Sequence, residues 1–171
     1  MTITRNPISQ TIARFQKAPP IKVIALAHEL GLKVYTSSLG PNVSGMIKKD
    51  GRGGSSGYAI FANSGHAETR RRFTIAHEVA HYILHRDLIG DGIIEDALLR
   101  AEGLNNSLER QANSMAANIL MPWHLIDGAR ETGTTTIEGL ATLFNVSRDA
   151  MSYRVLGVPY AEARTAELPQ L

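Results

Sequence analysis

The chain has no cysteine among its 171 residues, which excludes disulfide bridges and thiolate metal sites. Any bound metal must therefore use His, Asp or Glu. The chain also lacks a large excess of charge of either sign, because its formal net charge is only +2. A protein that binds nucleic acid through bulk electrostatics normally carries a larger excess of Lys and Arg, so that class is disfavoured.

Long hydrophobic runs are missing as well. The longest wholly apolar run, Val23 to Ala27, has about five residues, far short of the roughly 20 that a membrane-spanning helix needs. The N-terminal segment MTITRNPISQTIARFQ has no apolar core of the kind found in signal peptides. These absences lead us to expect a cytoplasmic globular protein, and 171 residues suffice for one domain with a small helical extension.

The order of patterns along the chain predicts an α+β fold. A helix is predicted to follow Pro19 and Pro20 and to stop at Gly31, and three short strands follow at residues 32–37, 45–49 and 58–63. The segment DGRGGSSG at residues 50–57 reads as a hairpin loop, so we expect a small antiparallel sheet. Further helices are predicted at residues 68–85, 122–131, 137–144 and 148–155. Another should run to Met121, with Asn105, Asn106 or Ser107 as its N-cap.

The segment RFTIAHEVAHYILH contains the pattern His77-Glu78-Val79-Ala80-His81. On a helix, residues i and i+4 lie one turn apart on the same face, so both imidazoles can reach one ion. Zinc suits nitrogen ligands and keeps an open position for water at catalytic sites. Glu78, adjacent to the first ligand, can accept a proton from that water. The alternative is an ordinary amphipathic helix with two surface histidines.

A catalytic zinc site needs a third protein ligand. His85 lies eight residues after His77, which is about 12 Å along a helix axis and too far for one ion. A second helix must therefore supply the ligand, and Glu109 in LERQANSMAANILMP is the best candidate. Asn113 follows at i+4 and could accept the spare ring N–H of a ligating histidine. The alternative for Glu109 is a solvated charge on a helix surface.

The pair FTIAHEVAHYILH and ERQANSMAANILMP resembles the ImmA/IrrE family of metallopeptidases, over roughly residues 21–157. The resemblance implies a gluzincin-like site with His77, His81 and Glu109 as zinc ligands and Glu78 as the catalytic base. It also implies an endopeptidase acting on a partner protein, typically a repressor with an Xre-type helix-turn-helix domain. The predicted sheet then packs on the HExxH helix, ahead of a mainly helical C-terminal half.

Along the chain we expect three parts. A metallopeptidase domain occupies residues 1–132, with residues 1–19 as a loose N-terminal helix. A helix-turn-helix-like helical module occupies residues 133–157, and a tail follows at residues 158–171. Two other functions stay open: a toxin-type or regulatory interaction module paired with an Xre-type partner, and a DNA-binding regulator acting through residues 136–156. DNA binding would use Arg148, Tyr153 and Arg154, but no basic cluster supports these residues, so we favour a packing role.

Two further features bear on the chemistry. Arg70, Arg71 and Arg72 form the densest positive run, and we interpret it as a solvated helix face rather than an anion site. An oxyanion-stabilising group is also needed, and the sequence does not choose among three candidates: Tyr153, Arg154 and His124.

The strand at residues 58–63 directly precedes the helix that carries His77. In HExxH peptidases an edge strand near the zinc pairs with extended substrate through main-chain hydrogen bonds. We therefore predict that this strand binds substrate, through the residues Tyr58, Ala59, Ile60, Phe61 and Ala62.

Overall fold

The computed structural model describes residues 7–52, 54–89 and 104–163. Within these ranges it has a three-stranded sheet and eight α-helices, so the predicted α+β fold is confirmed. No helix of the described part is long and apolar enough to cross a bilayer. Residues 90–103 lie outside the described part of the chain.

The sheet consists of β1 (Lys33–Ser37), β2 (Gly45–Lys49) and β3 (Tyr58–Asn63), in the order β1-β3-β2. β2 and β3 form the expected antiparallel hairpin around the loop at residues 50–57. β1 instead pairs in parallel with β3, so the sheet is mixed rather than wholly antiparallel. The reason is that β3 returns between β1 and β2, and the hairpin reversal gives it the same direction as β1.

Helix α3 (Glu68–His85) packs on this sheet. Glu68 lies in its first turn, where a negative charge favours the positive end of the helix dipole. Its apolar face is fully or almost fully buried and consists of Ile75, Ala76, Val79 and Ala80. Small residues on this face let α3 approach the sheet closely, which fixes the direction of the polar face beside it.

Helix α4 (Leu104–Leu120) packs against α3. Because the helix already includes Asn105, Asn106 and Ser107, the prediction that one of them is its N-cap is wrong. The helix ends before Pro122, and α5 (Trp123–Glu131) follows directly. Both boundaries agree with the preference of Pro for helix starts over helix interiors.

The predicted C-terminal helix pair is present as α6 (Ile137–Phe144) and α7 (Arg148–Leu156). The hydroxyls of Thr136 and Ser147 accept capping hydrogen bonds from backbone N–H groups. The pair is joined to the rest of the protein, since Arg72 donates to the carbonyl oxygens of Asn145 and Ile21. A short helix, α8 (Tyr160–Ala163), occupies the start of the predicted tail.

The N-terminal helix α1 (Pro7–Phe15) precedes α2 (Val23–Glu29). It is packed rather than loose, because Ile12 is buried in the core. Gln16 follows the helix and donates hydrogen bonds of 2.7 and 3.0 Å to the carbonyl oxygens of Asn118 and Ile119. These contacts connect α1 to the end of α4.

Candidate metal centre

The polar face of α3 carries the two histidines of the HExxH pattern. The spacing of four residues brings their rings together, so that His77 Nε2 and His81 Nε2 are 3.0 Å apart. The His81 side chain is 2% exposed and that of His77 is 16% exposed. Both nitrogens therefore point to one position at the surface of the helix, with limited access from solvent.

The carboxylate of Glu109, on α4, lies opposite these two nitrogens. Glu109 Oε2 is 3.1 Å from His77 Nε2, and Oε1 is 3.2 Å from His81 Nε2. One donor atom from each of the three residues lies within 4.8 Å of the others. The packing of α4 on α3 thus joins residues that are 28 or more positions apart in the sequence.

The remaining ring nitrogens also have partners, which fix the orientation of both rings. Asn113 Oδ1 lies 2.9 Å from His77 Nδ1, within hydrogen-bond distance. His81 Nδ1 lies 3.0 Å from His85 Nδ1, and His85 Nε2 lies 3.3 Å from Gln111 Oε1. If each Nδ1 of the first two histidines carries the proton, both Nε2 lone pairs are free to bind an ion.

This donor set fits a divalent metal ion. Two imidazole nitrogens and one carboxylate oxygen are the ligand types of catalytic sites that keep an open coordination position. The hydrogen bonds to Asn113 and His85 are the outer contacts that metal-bound histidines normally have. The ligand atoms of the three side chains lie 3.0 to 3.2 Å from one another, close to the separation of atoms that share one ion at about 2 Å.

The electrostatic interactions among these residues also favour the binding of a cation. Hydrogen bonds from His77 and His81 hold the pKa of the Glu109 carboxylate far below its usual range. Burial lowers the pKa of His77, but the hydrogen bond to Glu109 and the charges of Glu78 and Glu109 outweigh it, so the pKa is raised overall. Carboxylates that attract a proton to this position would equally attract a cation.

Glu78 lies in the wall of the same cleft and is 8% exposed. Burial raises the pKa of its carboxyl group, while the charges of His77 and His81 oppose that shift. The backbone N–H of Ile47, in β2, donates a hydrogen bond to this carboxylate. The bond joins β2 to the α3 residue beside the candidate metal ligands, and both residues line the cleft.

The cleft has a volume of about 610 Å³ and is bounded on one side by β2 and the residues just before it. Asn63 N–H bonds Ser44 O, and Asp50 N–H bonds Gly57 O, so even-numbered β2 residues face β3. Main-chain groups of Gly45 and Ile47 therefore face the free edge. In the described part of the chain, no strand pairs with that edge.

The prediction that β3 is an edge strand is wrong. Tyr58, Ala59, Ile60, Phe61 and Ala62 lie in the central strand, paired with β1 on one side and β2 on the other. Their main-chain groups are used by the sheet, and the residues do not line the cleft. The hairpin returns β3 to the middle of the sheet, which leaves β2 at the edge beside the metal position.

Sequence analysis missed the groups that complete the cleft. Arg70, interpreted as part of a solvated face, lines it and donates a 2.9 Å hydrogen bond to Ser44 Oγ. None of the three oxyanion candidates lines it: Tyr153 and Arg154 line a neighbouring groove, and His124 lies 2.9 Å from the carbonyl oxygen of Gln16. The role of β2 depends on strand order, for which the sequence carries no direct signal.

Comparison with known proteins agrees with this geometry. A stretch of 84 residues is 37% identical to the radiation response metalloprotease IrrE of Deinococcus deserti, covering 48% of this chain and 29% of that protein. The chain thus matches less than a third of that relative's length. A transcriptional regulator of Mycobacterium tuberculosis has a similar fold, with a TM-score of 0.57 and 16% identity over 86% of this chain and 45% of that one.

The family comparison covers most of the chain. The family model of the M78 peptidases, described as an IrrE N-terminal-like domain, matches residues 27–156. This range includes the sheet, α3, α4 and the α6–α7 pair. M78 peptidases depend on a metal, and the range contains the His77, His81 and Glu109 group. The chain belongs to the ImmA/IrrE family of metallopeptidases.

Proposed function

We propose that this protein is a zinc-dependent endopeptidase that cuts a peptide bond in a partner protein. His77, His81 and Glu109 are the proposed zinc ligands, and Glu78 is the proposed catalytic base. The observation that carries the proposal is the convergence of two imidazole nitrogens and a carboxylate at the bottom of an open cleft, with the Glu78 carboxylate in its wall. Zinc is the metal that this ligand set suits best.

When bound, zinc supplies a Lewis acid that polarises the scissile carbonyl group and acidifies water. The chain's own residues supply the rest. The Glu78 carboxylate takes a proton from the attacking water and passes it to the departing amine. Its raised pKa brings it nearer to working pH, which helps a group that must both accept and release a proton. The Ile47 N–H keeps the carboxylate in place during both transfers.

Extended substrate is proposed to pair with the free edge of β2 rather than with β3. Gly45 N–H and C=O and the Ile47 C=O face this edge, and the Ile47 N–H is already bonded to Glu78. Main-chain pairing of this kind fixes the scissile carbonyl without reading much sequence. Arg70 lines the same cleft and is the proposed cation that stabilises the oxyanion, because Tyr153, Arg154 and His124 do not line it.

The proposed substrate is an Xre-type helix-turn-helix repressor, in line with the family resemblance. A toxin-type or regulatory pairing with the same partner, in which zinc is structural, is less well supported. A purely structural zinc site has no need for a buried carboxylate next to a ligand, whereas Glu78 occupies such a position. DNA binding through the α6–α7 pair is also less well supported, because Arg154 donates to the carbonyl oxygen of Met121 within the protein.

Incubation of the zinc-loaded protein with the Xre-type repressor encoded nearest to it tests the proposal. We expect one main cut in the repressor. Mass spectrometry of the fragments locates it. Glu78→Gln removes the base but not its shape, so hydrolysis should fall by at least ~100-fold. Zinc content, measured by atomic emission, should stay at one ion per chain in both proteins. Equal cutting by the variant would show that Glu78 is not the base.

A further inference from the structure

A second groove opens beside the metal cleft, between α3, α4 and α7. It has a volume of about 940 Å³, and three of its lining residues, Arg70, Phe73 and Asn113, also line the metal cleft. The two cavities are therefore neighbours along one continuous surface. Helix α7, from the helix-turn-helix-like pair, supplies the third wall of the groove, and this gives the pair a position beside the reaction centre.

The groove combines an apolar floor with an aromatic rim. The floor includes Phe73, Ala117, Met121 and Ala150, of which Met121 is 1% exposed. Tyr153 stands at the rim and is 56% exposed, which is large for an aromatic side chain. Tyrosines beside well-packed apolar pockets are among the residues that contribute most of the binding energy at protein interfaces.

Three arginines line the same groove: Arg70, Arg110 and Arg154. No lining residue is acidic, and within the described ranges none of the three has a carboxylate within salt-bridge distance. Burial alone lowers the pKa of Arg154, without an opposing carboxylate, yet a guanidinium stays charged in such surroundings. Among the described residues these three cations have no counter-ion, and this favours a ligand that brings negative charge.

We propose that this groove binds an acidic and apolar segment of the protein substrate, next to the bond that is cut. Carboxylates of the segment would accept charge-assisted hydrogen bonds from Arg110 and from the terminal N–H groups of Arg154, whose Nε–H is bonded to the carbonyl oxygen of Met121. Arg70, the proposed oxyanion cation, adds positive charge where the groove meets the metal cleft. Apolar side chains of the segment would cover Phe73 and Met121. The proposal deepens the proposed peptidase function, because it assigns a sequence preference that main-chain pairing with β2 cannot supply.

A peptide fits these observations better than a nucleic acid does. Specific binding to DNA at physiological salt requires many phosphate contacts, and each phosphate needs a cation near it. The groove offers three arginines around an apolar floor, and its Tyr153 rim suits an apolar or aromatic side chain as well as a base. Charge complementarity therefore points to a short acidic peptide segment.

Fluorescence anisotropy with two labelled peptides tests the groove directly. One peptide alternates Glu and Leu, and the other has Lys at every Glu position. Zinc-loaded Glu78→Gln protein is used, so that neither peptide is cut. We expect the Glu peptide to bind at least ~10-fold more tightly than the Lys peptide, and the preference to shrink as salt rises.

Arginine variants in the same background locate the binding site. Arg110→Gln should weaken binding of the Glu peptide by about 5- to 10-fold, since one charge-assisted contact is lost. Arg110 lines the groove but not the metal cleft, so the variant leaves the zinc site intact. Arg52→Gln is the matched control, because Arg52 is exposed in the hairpin loop and lines neither cavity. The affinity of Arg52→Gln for the Glu peptide should stay within about twofold of the affinity of the parent protein.

Three results would overturn the proposal: equal affinity for the two peptides, equal loss in Arg52→Gln and Arg110→Gln, or Arg110-dependent binding of a DNA duplex without any peptide preference. Binding is measured without hydrolysis, so a failure of the groove proposal can be told apart from a failure of the proposed peptidase function. If the peptides behave as expected but the parent protein cuts no partner, the peptidase function is wrong and the groove still binds acidic segments.

Discussion

Both histidines of the candidate metal centre are held by a contact with a residue outside the ligand set. The ring of His77 is fixed by Asn113, and the ring of His81 by His85. His85 is itself buried and lies 3.3 Å from Gln111 Oε1. A site whose ligands are oriented before the ion arrives loses little conformational entropy when it binds. His85 therefore acts through His81 and is a positioning residue.

Replacing His85 by Ala should weaken zinc binding by about 10- to 100-fold, the usual effect of removing a hydrogen-bond partner of a metal-bound histidine. A competition titration against a chromophoric chelator measures the affinity. His28→Ala is the control, because His28 is exposed on α2 and away from the centre. His85→Gln should restore part of the affinity, since its carbonyl oxygen can accept the His81 N–H. An unchanged affinity in His85→Ala would contradict the positioning role.

The sequence predicts a good part of this residue-scale picture. The i, i+4 spacing of His77 and His81 and the adjacent Glu78 require only that the segment is a helix. Helix rise excludes His85 as a ligand of the same ion as His77, yet the same periodicity places it one turn beyond His81, where it contacts that ring. Its bond to Gln111 could not be predicted, because it depends on how α4 lies against α3.

At the level of elements, the sheet approaches α3 closely at Gly45. A Cβ atom there would collide with Thr74 Cγ2 and would lie 2.7 Å from the carbonyl oxygen of Phe61. Glycine at this position therefore lets β2 lie directly against the helix that carries the metal-binding histidines. The same approach brings the Ile47 N–H to the Glu78 carboxylate.

Gly45→Ala should lower the free energy of unfolding by about 1–3 kcal/mol, because the added methyl group overpacks a tight contact. Urea denaturation measures this change. Gly51→Ala is the matched control, since a Cβ at Gly51 meets nothing within 4 Å, and its effect should stay within about 0.5 kcal/mol. Equal stability of the two variants would show that β2 and α3 can separate without cost.

The choice of β3 as the substrate-binding strand rests on its position along the chain, which does not give the strand order. Position along the chain puts β3 next to α3 and suggests that it lies nearest to the metal. The segment YAIFAN is nearly all apolar, however, and both faces of β3 are buried at Ala59, Ile60, Ala62 and Asn63. Near-continuous burial is typical of a central strand, whereas β2 ends in Lys48 and Lys49, and lysine is common on edge strands.

At the scale of the whole molecule, the metal position connects two parts of the fold. His77 and His81 belong to α3, which packs on the sheet, and Glu109 belongs to α4, which leads to α5. Glu109 lies 3.1 and 3.2 Å from the two histidines, so an ion pair between these residues would still join α3 and α4 after zinc is removed. We therefore expect the metal-free protein to fold, but with lower stability.

Side-chain hydrogen bonds connect the α6–α7 pair to α3, the helix that carries the two histidines. Asn145 donates to Glu68, and Arg72 donates to Asn145. The sequence predicts the two helices and the Ser147 cap, because caps and periodicity are local. It does not predict that Arg72 and Arg154 turn inward to backbone carbonyl groups, since these contacts join distant segments.

Zinc should raise the thermal stability of the whole protein, because it binds the folded state and bridges α3 and α4. At free zinc 100-fold above the dissociation constant the gain is about 2.7 kcal/mol, or roughly 5–10 °C in Tm for a chain of this size. Differential scanning calorimetry with zinc and with chelator measures the shift. Glu109→Ala should lose most of the zinc-dependent shift, whereas the exposed-site variant His28→Ala should keep it.

The zinc-dependent gain in Tm should grow with pH. His77 has a raised pKa in the metal-free protein, so its ion pair stabilises the metal-free fold below the unfolded-state value of about 6.5. That contribution is lost as pH rises through the folded-state pKa. Zinc must displace the same proton, so its binding strengthens over the same range. A larger gain at about pH 6 than at about pH 8 would contradict binding through the neutral imidazole of His77.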